Sequence, residues 1–170
     1  MYSGHGFEVA PTYRFLSSVG PAGTIRKRRL DPIARAEDAA LFGELLRERT
    51  AVSQECSSAD DGWMVGIVAA LSGRLQTGMW WLPDHQAIVV FDGDDEHNLL
   101  VEVFARELPD PAILRAAAPK PELPMLYSFC PDLIDEGAVA QPAPASIGSM
   151  MIRGQWPGPA VFGVSPLWEH

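Results

Sequence analysis

The strongest periodic signal in the chain is helical. In PIARAEDAALFGELLRER (32–49), Leu41, Phe42, Leu45 and Leu46 recur at i, i+1, i+4 and i+5 and make one apolar face. Glu44, Arg47, Glu48 and Arg49 fall on the wet side. Asp31 followed by Pro32 reads as an N-cap with proline at the first helical position. A second helix is expected over GWMVGIVAALSGRLQ (62–76), where Met64, Ile67, Val68, Leu71 and Leu75 share a face. Gly66, Ala70 and Gly73 make a small-residue face there. Each helical glycine costs about 1 kcal/mol, so the pair points to close approach by another backbone. Asp60 or Asp61 is placed to cap this helix and Gly78 to end it.

The pattern then changes to β. In MWWL (79–82), adjacent Trp80 and Trp81 point to opposite faces of a strand. QAIVVFD (86–92) and NLLVEVFAREL (98–108) are runs rich in β-branched residues joined by a polar loop, which predicts an antiparallel hairpin. Strict alternation in the second run puts Leu99, Val101, Val103 and Ala105 on one face and Leu100, Glu102, Phe104 and Arg106 on the other. A short helix is expected from Pro111 with Asp110 as its cap, and Pro119, Pro121 and Pro124 then forbid regular structure. MLYSFC (125–130) reads as a strand, PDLIDEG (131–137) as one helical turn, and GSMMIRG (148–154) with PAVFGV (159–164) as a final strand pair turning at QWPGP. Residues 1–24 read as irregular apart from a short strand or turn in TYRFLSSV, and 140–147 as a Pro/Ala-rich loop. These elements predict a single α+β domain over 1–170, with an antiparallel sheet of about four to six strands packed by two main helices.

Composition agrees with one globular domain: 170 residues, 47% hydrophobic and 21% charged. The net charge of −9 changes the functional picture. It argues against broad nucleic-acid binding, which needs cations against phosphate, and against docking on anionic lipid. It admits a basic protein partner. Cys56 and Cys130 lack metal-knuckle spacing and are too few for a disulfide scaffold, so they read as reduced thiols of a cytosolic protein. MYSGHGFEVA has no leader pattern, and WMVGIVAAL is too short to span a bilayer. Arginine greatly outnumbers lysine, and alanine, glycine and proline are plentiful, a composition associated with GC-rich bacterial genomes. Neither an internal repeat nor a low-complexity tract is present.

Candidate chemistry is concentrated in FDGDDEHN, where Asp92, Asp94, Asp95, Glu96 and His97 put five ligand-type side chains into six positions. Asp-Gly at a hairpin connection is first of all a turn signal, and charge at its tip is ordinary for a solvated loop. A calcium loop started at Asp92 fails at its sixth position, His97 instead of glycine, and at its twelfth, Val103 instead of glutamate. His85 and His97 flank the first hairpin strand, some 20 Å apart at about 3.3 Å per residue, too far for one shared metal. A paired-carboxylate nuclease would need Glu-x-Lys on the next strand, but Glu102 is followed by Val103 and Phe104. No metal or cofactor is therefore expected.

Arg26, Lys27, Arg28 and Arg29 form the one basic cluster, read as a sheet edge or exposed turn that opposes acidic surface. Cys130 before Pro131 reads as a packing residue, and acids near Cys56 would raise its pKa. G-x-S-x-G, G-x-G-x-x-G and P-loop patterns are lacking, so no catalytic residue is assigned. The expectation is a non-catalytic acidic binding protein that docks on a more basic partner through Asp92, Asp94, Asp95, Glu96 and Trp81. By analogy of composition, this is the profile of small bacterial immunity proteins and inhibitors. The alternative is a small enzyme or small-molecule-binding domain with a pocket near Trp81, His85, His97 and the 92–97 loop.

Overall fold

The computed structural model describes residues 7–9, 12–20, 23–54, 78–143, 151–153 and 161. The helix expected at 62–76, Cys56, Trp156, Trp168 and all of 159–164 except Val161 lie outside them. The described residues form a mixed α+β structure. Its elements are β1 (Phe7–Val9), β2 (Tyr13–Leu16), β3 (Arg28–Arg29), α1 (Ala36–Glu48), β4 (Met79–Leu82), β5 (Ala87–Gly93), β6 (Asn98–Ala105), α2 (Pro111–Ala117), β7 (Met125–Tyr127), β8 (Val139–Pro142) and β9 (Met151–Arg153). Seven strands make one sheet in the order β3-β4-β5-β6-β7-β2-β8, and β1 pairs with β9 in a separate ribbon. All pairings are antiparallel except β6–β7.

The hairpin β5–β6 is the centre of the sheet, as its two apolar runs predict. All eight residues of β6 are buried. Their facing departs from simple alternation because the register breaks between Val90 and Phe91. Val90 faces Glu102 while Phe91 faces Leu100, which leaves Val101 as the extra residue of a bulge. The bulge inverts the alternation: Leu99, Val101 and Phe104 join one core cluster, whereas Leu100, Val103 and Ala105 join the other. The expected grouping of Val103 and Ala105 with Leu99 is thereby corrected, as is that of Phe104 with Leu100. Ile88 and Val90 belong to the first cluster, and Ala87, Val89 and Phe91 to the second.

Phe42 and Leu45 of α1 enter the first cluster, with Leu41 and Leu46 packed against it. Phe42 meets Phe104 edge-on, with centroids 5.2 Å apart at 87°. The helix starts at Ala36, after the position that Asp31-Pro32 suggested. Asp31 instead builds a turn before it: its backbone oxygen accepts from Arg35 N at 3.0 Å, and its Oδ1 accepts from Ala34 N at 3.0 Å. The helix answers through Asp38 in its first turn, whose buried Oδ2 accepts from Asp31 N at 2.9 Å. Arg28 Nη1 lies 2.7 Å from Asp38 Oδ1, in an ionic contact without hydrogen-bond alignment. Burial pushes the Asp38 carboxyl up, but the Asp31 N–H and the charges of Arg28 and Arg35 outweigh it and hold it below the usual range.

Leu114 and Ala117 of α2 enter the second cluster. Asp110 caps α2 with its backbone oxygen, which accepts from Ile113 N and Leu114 N, and its side chain makes no cap bond. The stretch 106–124 is long enough to return the chain as a crossover, which is what lets β7 lie parallel to β6.

Two segments read as irregular or loop are strand, Phe7–Val9 and Val139–Pro142. Tyr13–Leu16, in the stretch read as a short strand or turn, inserts as a strand between β7 and β8, and Val139–Pro142 pairs with it. Met151–Arg153 of the expected final strand pair is a strand and pairs with β1, and its expected partner at 159–164 lies outside the described residues apart from Val161. Both sheet edges are blunted. At β8, Ala143 N donates to Thr12 O, so by alternation the nitrogen of Pro142 faces away from β2, where its missing N–H denies a pairing site. At β3 the edge carries charge, as the basic cluster suggested. Arg26 pairs with Asp84 at 2.9 Å. Lys27 Nζ donates to Ala117 O and Ala118 O at 2.8 and 3.0 Å, at the C-terminal end of α2. Lys27 and Arg29 both lie over Trp80.

Candidate functional site: the acidic turn

The turn between β5 and β6 is built from its own residues. Gly93 has φ +154°, and a Cβ placed on it would lie 2.5 Å from His97 O, so the turn requires glycine. Asp92 Oδ1 accepts from Gly93 N at 2.8 Å. Asp94 Oδ1 accepts from the backbone N–H groups of both Glu96 and His97 at 2.8 Å, and Asp94 N donates to His97 O at 3.2 Å. These two N–H bonds hold the Asp94 carboxyl below the ordinary aspartate range, with a smaller contribution from His97, whose Nδ1 is 3.6 Å away.

A second layer fixes the turn from outside. Lys120 Nζ donates to Asp95 Oδ1 at 2.9 Å and to Asp94 O at 3.2 Å. Buried Asn98 behaves like a strand backbone: its Nδ2 donates to Lys120 O at 2.7 Å, and its Oδ1 accepts from Lys120 N at 3.1 Å. The result is an ordered loop on which Asp92, Asp94, Asp95 and Glu96 are all exposed. Such a surface can attract and orient a cationic partner.

The other predicted residues lie elsewhere. Trp81 stands opposite Ile88 and Arg28 and packs half-buried against the α1-side cluster, while Trp80 packs on the opposite face as the alternation required. His85 closes a single helical turn, Pro83–His85, just before β5. Trp81 and His85 thus belong to the start of β5, and Asp92 and the 94–97 turn to its far end, about 20 Å away at 3.3 Å per residue. His85 lines a groove of about 470 Å³ with Asp84, Gln86, Leu108, Asp110 and Ile113 among its neighbours. Arg106 forms part of its wall and is held by Glu44 and Glu48 of α1. Those two carboxylates, Glu48 first, push the guanidinium pKa up.

Pattern reading missed one polar centre altogether. Buried Asp135 accepts from Ser17 Oγ at 2.9 Å, Ser18 N at 3.2 Å, Ser18 Oγ at 2.6 Å and Tyr127 Oη at 3.1 Å. It joins the end of β2 to β7, and burial pushes the Tyr127 phenol far up. Asp135 borders a cavity of about 200 Å³ that Phe15, Cys130 and Asp132 also line. Cys130 is buried. Among the described residues, no three of His, Cys, Asp and Glu converge as a metal-binding group.

The chain matches no family model, no curated protein and no solved structure. Among the described residues, no helix is long and apolar enough to cross a membrane.

Proposed function

We propose that this is a non-catalytic acidic binding protein of the bacterial immunity or inhibitor type, a single cytoplasmic domain that docks on a more basic protein through its 92–97 turn. The observation that carries the reading is the double fixing of that turn. Asp94 orders it from within, Lys120 and Asn98 tie it from outside, and its carboxylates remain in solvent. A loop already ordered before contact avoids the entropy cost of ordering on binding. Its charge, within a chain of net charge −9, raises the rate of encounter with a basic surface. Trp81 sits at the other end of the hairpin, so the proposed surface is the carboxylates alone.

The test uses a partner recovered from the native host on immobilised protein. An Asp95→Asn/Glu96→Gln variant removes two charges and the exposed Lys120–Asp95 ion pair, and keeps Asp94 and Asn98 in place. Its association should slow by roughly tenfold at low salt and lose part of its salt dependence, with dissociation and thermal stability nearly unchanged. An unchanged association rate would remove the turn from the interface.

The groove beside His85 supports a second reading, a small-molecule or enzymatic site at the opposite end of the hairpin. Under it, a small ligand would shift the amide resonances of residues 84–86, 107, 108 and 110 and leave those of 94–97 in place. Under the first reading, the partner moves 94–97.

A further inference from the structure

We draw no further inference here: the strongest candidate, the groove of about 470 Å³ between the Pro83–His85 turn and the start of α2, has its Asp84 and Arg106 already paired with Arg26 and with Glu44 and Glu48, and nothing in it points to what would fill it.

Discussion

The two ends of the β5–β6 hairpin both carry acidic residues and use them in opposite ways. At the turn, Asp94 uses its carboxylate on backbone N–H groups of its own loop, with His97 beside it, and Lys120 pairs with Asp95. At the other end, Glu44 and Glu48 of α1 converge on Arg106, whose backbone oxygen also accepts from Thr50 Oγ1. The first arrangement shapes a local backbone and leaves charge facing water. The second clamps a helix to the end of a strand and offsets part of its charge. Residue type therefore says little about role here; what the carboxylate faces decides it.

Substitutions can break this contrast, and the largest effect is expected at Gly93. Gly93→Ala puts a Cβ against His97 O and forces a backbone conformation that L-residues rarely adopt, so it should destabilise the protein by about 1–3 kcal/mol in chemical denaturation. An unchanged midpoint would mean that the turn is not the rigid platform described above. Asn98→Ala comes next. It strips the paired bonds to the Lys120 backbone from a buried position and should cost about 1–2 kcal/mol. It should also speed amide exchange at residues 94–97, whereas exchange in α1 should not respond.

Acid titration separates the two ends by mechanism. Asp94 has a folded pKa below its ordinary value of 3.8, so the stability it contributes is fully present above that value. That stability is lost as pH falls through the depressed folded pKa. Carboxyl-carbon NMR should show Asp94 titrating below the ordinary value, and titration at or above it would contradict the bonds to Glu96 and His97. The smallest effect is expected for Arg106→Ala, which removes an exposed clamp. Its melting temperature should fall slightly at low salt and converge on wild type at high salt, because exposed ion pairs are screened. The Gly93→Ala penalty should persist at both salt concentrations, since its cause is steric.

Much of the site's local form was legible in the chain. Asp92-Gly93 between two β-branched runs announced the turn, and four intervening residues, 94–97, close it. What anchors the turn was not legible, because Lys120 and Asn98 carry no mark that they meet. Nor was the bulge at Val101: alternation is a property of one strand, and the extra residue is defined only against Val90 and Phe91 of the next. The start of α1 was misjudged for a related reason. Asp31 can cap a helix or build a turn, and Asp38, folding back to its N–H, favours the turn.

By itself the sequence determined what depends on neighbours a few positions apart: the apolar face of α1, the strands β4, β5 and β6, and the glycine turn between the last two. The tertiary structure decided the rest. It inserted β2 between β7 and β8, laid β7 parallel to β6, joined Arg106 to carboxylates 58 and 62 positions away, and gathered Ser17 and Ser18 around Asp135 across 118 and 117 positions. The physical reason is that helix periodicity and turn chemistry are short-range properties of the backbone. A contact between distant segments becomes favourable only once loop closure and burial of the shared core have brought them together.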